Sequence, residues 1–207
     1  MSGEMTADEF QSLTGVSRET MDKFICYSEM LSKWQKSINL VSNSTISDMW
    51  RRHFYDSAQL LSLIEKKSEP LKILDIGSGA GFPGLVLSIL GAGEVHLVES
   101  VGKKCAFMNQ VIQKTDINAV VHNRRVEDMK TFPVDLVTSR ACAELDKLLH
   151  LVSPFIDNDT KCLFLKGERA EEEISNALKK WCFKVKKYNS KSEESGMILY
   201  INEIKGC

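Results

Sequence analysis

Strand-like and helical segments alternate along most of the sequence, and this rhythm constrains the fold more than any other feature. From Leu71 the short apolar runs are KILDIG, EVHLVE, AVVHN, VDLVTS and KCLFLKG, and a helical pattern follows each of them except AVVHN. Such alternation predicts an α/β fold with a mostly parallel sheet and right-handed helical crossovers. The final runs, FKVKKYN and GMILYINEI, have no helix between them, which predicts an antiparallel hairpin at one side of the sheet.

The residues before Leu71 have the pattern of a helical extension. Thr6 and Glu9 have the spacing of a capping box, and Ser17 is suited to cap a second helix. The helical pattern resumes in DMWRRHFYDSAQLLSLIEKK, and the short stretch KSEP separates it from the first strand. We therefore predict a helical extension over 1–70 and an α/β domain over 71–207, packed as one compact unit. Three aromatic residues are expected to anchor that packing: Trp34, Trp50 and Phe54.

Charge and cysteine usage exclude several classes of protein. The sequence has 27 basic and 28 acidic residues and a net charge of -1, so any polyanion must be held by a local basic patch. The six cysteines form no C-x-x-C pair and the four histidines lack metal-ligand spacing, so we predict no metal site. The thiols are expected to be reduced and mostly buried, with Cys105 and Cys142 in the core.

The sequence also lacks the signals of a membrane or exported protein. No uninterrupted apolar run reaches the roughly 18 residues of a membrane-spanning helix, and MSGEMTADEF has no apolar signal core. We therefore predict a cytoplasmic protein without a membrane partner. A monomer is expected because no long exposed apolar stripe is evident.

A glycine-rich loop follows the first predicted strand. Gly77, Ser78, Gly79 and Gly81 lie where a parallel sheet binds its ligand, beyond the carboxyl end of a strand. Glycines there allow a ligand to approach the backbone closely. A Walker loop is excluded because no G-K-[ST] follows at the required spacing. The dinucleotide fingerprint G-x-G-x-x-G fits poorly, because Phe82 stands at the position of the last glycine.

Two carboxylates beside the loop indicate which ligand it binds. Asp75 precedes Gly77 by two residues, where it would repel a pyrophosphate but attract the ammonium and sulfonium of S-adenosylmethionine. Glu99 ends the second predicted strand and is placed to accept hydrogen bonds from ribose hydroxyls. Alternatively, Asp75 caps the following helix and Glu99 is only an exposed charge. The predicted cofactor is S-adenosylmethionine, and an NAD-dependent oxidoreductase is an alternative.

Seven motifs in a fixed order resemble the RsmG (GidB) family of bacterial rRNA methyltransferases. They are KWQKSINLVS, RRHFYDS, DIGSGAGFPG, VESVGKKCAFM, RRVED, VTSRA, and KG followed by EEE, between about Lys33 and Ile204. The resemblance implies a Rossmann-like class I S-adenosylmethionine-dependent methyltransferase fold with an N-terminal helical extension. It also implies methyl transfer to N7 of one guanine in the decoding-region loop of 16S rRNA, with the small ribosomal subunit as partner.

The resemblance assigns expected roles to individual positions. Six residues would contact the cofactor: Gly77, Phe82, Glu99, Val126, Glu127 and Arg140. For Arg140 three interpretations compete, namely the methionine carboxylate, the phosphate or O6 of the target nucleotide, and an ion pair with Glu144. Gln35 stands where the family usually has Asn, so a polar contact at that position is not carried over.

Basic residues are the candidates for RNA contacts. They are Arg51, Arg52, His53, Lys103 and Lys166, with Lys104 as a further candidate. The RRHFYDS segment could equally form a helical pair of Arg52 with Asp56 beside a buried histidine. Guanine N7 has a lone pair and no proton, so its methylation needs no general base, and we predict no catalytic acid–base residue. A methyltransferase of a different acceptor and a non-catalytic RNA-binding scaffold also fit these residues.

Overall fold

A computed structural model describes residues 3–65, 67–140 and 142–207. Its centre is a seven-stranded sheet in the order β3-β2-β1-β4-β5-β7-β6. The pairs among the first five strands of that order are parallel, and β7 is antiparallel to both β5 and β6. The strands are β1 Leu71–Ile76, β2 Gly93–Glu99, β3 Ala119–Asn123, β4 Leu136–Arg140, β5 Lys161–Lys166, β6 Trp181–Asn189 and β7 Met197–Gly206. The predicted mostly parallel sheet and the C-terminal antiparallel hairpin are confirmed.

Helices cover both faces of the sheet. Their bounds are α1 Ala7–Thr14, α2 Arg18–Gln35, α3 Asp56–Ala58, α4 Gly84–Ile89, α5 Gly102–Thr115, α6 Leu145–Val152 and α7 Ala170–Ala177. One apolar cluster joins α2, α4 and α5 to one face, and a second joins α6 and α7 to the other. Both faces of the central strands are therefore buried, as their continuous apolar runs require.

The N-terminal helices begin at the predicted caps and pack through aromatic rings. The capping box of Thr6 with Glu9 is formed, and Ser17 caps α2. Phe54 lies 5.3 Å from the Phe82 ring of the glycine loop, Trp50 packs on Phe54, and Trp34 packs on Phe107 of α5. The predicted packing role of the three aromatic anchors is confirmed, and one core cluster includes residues from both 1–70 and 71–207. The boundary at residue 70 stays a prediction.

The segment 50–63 differs from the regular helix that its apolar periodicity predicts. Trp50–Tyr55 is π-helical, α3 continues it, and Gln59–Leu63 is a 3₁₀-helix. Arg140 Nη1 donates a hydrogen bond to the Arg52 carbonyl inside the π-helical turn. Such turns are frequent at functional sites because they redirect side chains. Here the turn faces the carboxyl edge of the sheet.

The cysteines are less buried than the sequence predicts. Cys105 and Cys162 are in the core, but Cys142, Cys182 and Cys207 are exposed. The prediction for Cys142 is wrong because this residue lies after the end of β4, in the turn that faces the glycine loop. Over the described ranges, no helix is long and apolar enough to cross a membrane.

Candidate functional site

The carboxyl ends of the parallel strands surround a cleft made of two adjoining cavities. The larger, of about 770 Å³, lies against the glycine loop and the ends of β4 and β5. The smaller, of about 340 Å³, lies between the same loop, the end of β2 and the turn after β3. Both volumes are in the range of small-molecule sites. The strand order reverses at β1, so the cleft lies at the switch point where α/β sheets bind ligands.

The backbone of the glycine loop has a conformation that only glycine adopts without strain. The φ angles are 67° at Gly77, 59° at Gly79 and 98° at Gly81. A Cβ on Gly77 would lie 2.3 Å from the Cys142 sulfur, which explains the absence of a side chain there. No atom lies closer than 3.8 Å to a Cβ built on Gly79, so the backbone at this position is open to a ligand.

Asp75 is buried beneath the loop and lines neither cavity. Its Oδ1 accepts a hydrogen bond from Thr138 at 2.8 Å, and its Oδ2 accepts one from the Gly84 amide at 3.3 Å. Burial raises the pKa of Asp75 from its ordinary 3.8 to about 6, against the opposing effect of these hydrogen bonds. The carboxylate holds the first turn of α4, in agreement with its interpretation as a helix cap. Its direct contact with a cofactor stays a prediction.

Glu99 lies at the surface of the smaller cavity. Its Oε2 accepts a hydrogen bond from the Gly79 amide at 3.0 Å, and its Oε1 accepts one from the Val101 amide at 2.8 Å. The hydrogen bond to the Gly79 amide therefore holds both the glycine loop and the Glu99 carboxylate in position. Val126 and Glu127 line the same cavity from the short 3₁₀-helix after β3. The structure thus brings together all three residues predicted for the ribose and adenine.

Arg140 lies in the larger cavity and is held by the π-helical turn. Its Nη1 donates to the Arg52 carbonyl at 2.9 Å and lies 3.5 Å from Asp56 Oδ2. Its guanidinium carbon is 5.0 Å from the centre of the Phe82 ring. The interpretation as an ion pair with Glu144 is wrong, because the carboxylate of Glu144 lies 3.7 Å from Arg169 instead.

His53 is 6% exposed and lines the larger cavity. Its Nε2 lies 2.9 Å from Thr45 Oγ1, whose own proton is donated to the Ser42 carbonyl. A proton on Nε2 satisfies both contacts of this hydroxyl, and Nδ1 has no hydrogen-bond partner among the described residues. Burial, assisted by the charges of Arg140 and Arg52, lowers the pKa of His53 to about 3. The ring is neutral at physiological pH.

The other RNA candidates are placed differently from one another. Arg52 lines the larger cavity and pairs with Glu193 at 2.8 Å rather than with Asp56. Lys166 lines it too, but its side chain is 5% exposed, with Nζ 2.7 Å from Glu173. Arg51 and Lys103 line neither cavity. Lys104, in contrast, lines both.

Two segments that were not among the predicted site residues form rims of the larger cavity. One rim is the segment 40–45, which Gln35 holds by donating to the Val41 carbonyl and accepting from the Leu40 and Val41 amides. The other is the hairpin loop 190–196, where Ser190 and Ser192 both donate to Asp56. Neither segment is part of a helix or strand, and only the packing of the chain brings the two segments to the cleft.

The residues present fit S-adenosylmethionine. The open backbone at Gly79 and the bare glycine at Gly77 leave room beside the loop, and Glu99 offers carboxylate lone pairs at one end. Basic side chains outnumber acidic ones here by eight to six, although the net charge of the whole sequence is -1. The basic side chains that line the two cavities are Arg52, Lys104, Arg124, Arg125, Arg140, Lys147, Lys166 and Arg169. Within the described parts of the chain, no group of His, Cys, Asp and Glu side chains is arranged to hold a metal ion.

Comparison with known proteins assigns the family. A family model for GidB, described as rRNA small subunit methyltransferase G, matches residues 20–198. This chain belongs to the GidB family. A protein of Rhodospirillum centenum named ribosomal RNA small subunit methyltransferase G is 46% identical over 96% of this chain and 91% of its own length. The protein of the same name from Rhodospirillum rubrum is also 46% identical, over 97% of this chain and 98% of its own.

Solved structures support the fold of this GidB-family chain. Ribosomal protein L11 methylase from Lactobacillus delbrueckii aligns with a TM-score of 0.59 at 16% identity, over 78% of this chain and 79% of that chain. A mutant of MtNAS in complex with S-adenosylmethionine aligns with a TM-score of 0.59 at 13% identity, over 96% of this chain and 84% of that chain. The predicted Rossmann-like class I methyltransferase fold is therefore confirmed.

Proposed function

We propose that this GidB-family protein transfers a methyl group from S-adenosylmethionine to N7 of a guanine in the decoding-region loop of 16S rRNA. The two-part cleft at the switch point of the sheet carries this proposal, because it combines a glycine loop and Glu99 with a larger cavity that Arg140 and Lys104 line. The relatives named as small-subunit rRNA methyltransferases support the substrate. The site of action is then the cytoplasm, where small ribosomal subunits are assembled. The monomeric state stays a prediction.

The proposed cofactor contacts follow the two cavities. Glu99 accepts from the ribose, while Val126 and Glu127 border the adenine in the smaller cavity. Gly77, Ser78, Gly79 and Phe82 flank the methionine part in the larger cavity, and Gly81 and Asp75 support the loop from beneath. The bound cofactor supplies an electrophilic methyl group on a cationic sulfonium.

Catalysis in this proposal is positioning without a general base. Guanine N7 attacks through a lone pair that carries no proton, so no side chain has to remove one. Arg140, held by Asp56 and the Arg52 carbonyl, directs its remaining N–H groups toward acceptors of the target nucleotide. The neutral His53 adds no positive charge beside a sulfonium. Alignment of nucleophile and methyl group supplies several kcal/mol in favourable cases.

Local cations supply the RNA contacts in this proposal. Arg52 and Lys104 reach the cleft rim, whereas Arg51 and Lys103 lie outside it and suit more distant phosphates. Lys166 is paired with Glu173, so its role is to hold that carboxylate in place. Lys166 would contact RNA directly only if the RNA displaced Glu173. The near-zero net charge implies few contacts, so affinity for arbitrary RNA at physiological salt is expected to be weak.

The decisive experiment is transfer of labelled methyl groups from S-adenosylmethionine to small ribosomal subunits and 16S rRNA. The substrates come from cells that lack this modification, and subunits from modified cells are the matched control. We expect label in 7-methylguanosine at one site, identified by mass spectrometry, and none in the control. Cofactor binding without any label would redirect the proposal to another methyl acceptor. Failure to bind, with enhanced fluorescence of reduced nicotinamide, would favour an oxidoreductase.

A further inference from the structure

A separate cavity, of about 420 Å³, lies outside the cleft described above, between the end of the N-terminal helical segment and the C-terminal hairpin. We call it the hairpin groove. Its lining includes Gln59, Leu63, Tyr188, Asn189, Lys191 and Ile198. Nothing in the proposed methyl transfer uses this groove.

The chemistry of the hairpin groove suits a nucleotide. Leu63 and Ile198 supply an apolar surface, and Tyr188, an aromatic residue of the same lining, is 37% exposed. No carboxylate lines the groove among the residues that the structure describes. In that part of the chain, Lys191 also has no ion-pair partner. An exposed ring beside an unpaired ammonium matches a base and its phosphate.

The hairpin groove shares a wall with the larger cavity of the cleft. Gln59 Nε2 donates to Ser190 Oγ at 3.0 Å, and its Oε1 accepts from the Lys191 amide at 2.8 Å. Ser190 donates a hydrogen bond to Asp56, and both of these residues line the larger cavity of the cleft. One hydrogen-bonded layer of side chains thus separates the hairpin groove from the larger cavity of the cleft. A polynucleotide chain can therefore continue from the larger cavity into the groove across the hairpin loop.

We propose that the hairpin groove binds an rRNA nucleotide near the target guanine, with its base stacked on Tyr188 and its phosphate paired with Lys191. The proposal rests on the proposed function, because it takes the same rRNA as occupant. Lys191 lies in the loop just after the edge strand β6, and lysines at such an edge also protect it from pairing with other chains. That protection requires charge alone, whereas the groove adds an exposed ring, an apolar surface and the Asn189 amide.

The test measures methyl-transfer kinetics on whichever substrate the wild-type protein methylates, deproteinised 16S rRNA or the small subunit. The variants are Tyr188→Ala and Lys191→Ala. Tyr188→Phe is the matched control that keeps the ring, and Lys114→Ala is an exposed control on α5 that does not line the groove. We expect Tyr188→Ala to raise KM roughly tenfold with kcat and cofactor affinity unchanged. Lys191→Ala is expected to reduce the slope of log affinity against log salt by about 1.

Three results overturn the inference. KM within twofold of wild type for both variants would remove the groove from RNA binding. A raised KM for Lys191→Ala with an unchanged salt slope would show that this ammonium does not pair with a phosphate. Equal losses for Tyr188→Ala and Tyr188→Phe would exclude stacking. Absence of methyl transfer by the wild-type protein would contradict the proposed function itself, so the two failures are distinguishable.

Discussion

At the scale of single residues, burial decides which charged groups can contact a ligand. Asp75 and Glu99 both follow from strand-end positions in the sequence, yet one lies under the loop and the other on the cavity surface. The registry of β1 with β4 places Thr138 beside Asp75 and holds that carboxyl in the interior. The two acids therefore require different tests.

For Asp75 the test is stability as a function of pH. Its pKa of about 6 in the folded state lies above the ordinary 3.8, so the stability that it contributes is fully present below pH 3.8. That stability is lost as pH rises through about 6. Compared with Asp75→Asn, which does not titrate, the wild-type free energy of unfolding should fall by about 2–3 kcal/mol between pH 4 and pH 7. Urea unfolding at several pH values measures the difference, with the exposed Asp22→Asn as control. A difference independent of pH would contradict the raised pKa.

For Glu99 the test is cofactor affinity. Glu99→Ala removes the proposed ribose acceptor and the two bonds to the Gly79 and Val101 amides. We expect S-adenosylmethionine to bind at least tenfold more weakly in calorimetry, since hydrogen bonds to charged groups contribute about 1.5–3 kcal/mol. Glu94→Ala, on the same strand but away from the cleft, is the control. Unchanged affinity in Glu99→Ala would remove this residue from the cofactor site.

At the scale of elements, loops held by single side chains form the cleft rims. Gln35, at the end of α2, satisfies the Leu40 and Val41 amides and the Val41 carbonyl of segment 40–45. Position 35 thus carries polar contacts in this chain, although the resemblance by itself did not carry one over to Gln35.

The role of Gln35 is tested by Gln35→Ala. Loss of its hydrogen bonds should lower the free energy of unfolding by about 1–3 kcal/mol and speed amide exchange at Leu40 and Val41. Hydrogen exchange with mass spectrometry follows the segment. The exposed Gln113→Ala on α5 should change neither quantity. Protection equal to wild type in Gln35→Ala would show that other contacts hold the rim.

At the scale of the whole molecule, the helical extension and the sheet share a core. Tyr27 of α2 donates a hydrogen bond to the Ala80 carbonyl in the glycine loop at 2.6 Å, and its ring stacks on Phe82 at 5.2 Å. The cofactor loop therefore depends on residues that come long before it in sequence.

A truncated chain of residues 71–207 tests this dependence. We expect it to lose cooperative thermal unfolding and to aggregate, because one face of its core would be exposed to water. Differential scanning calorimetry and size-exclusion chromatography measure both properties against the full chain. A cooperative transition with retained cofactor binding would instead show an independent domain that begins at residue 71.

The sequence by itself determined the sheet, the hairpin, the helix caps and the glycine loop. Each depends on local periodicity or on residues at the end of one element, and such signals are readable along the chain. The cleft positions of Glu99 and Arg140 followed because parallel strands end at the same edge. The position of Val126 followed only from the resemblance to the family.

Only the tertiary structure decided what lies opposite those residues. It buried Asp75 and Lys166, exposed Cys142, and paired Arg140 with Asp56 instead of Glu144. It also brought the hairpin loop to the cleft and formed the groove around Tyr188. These features depend on contacts between segments far apart in sequence. No local pattern records such contacts, because they exist only when the whole core has packed.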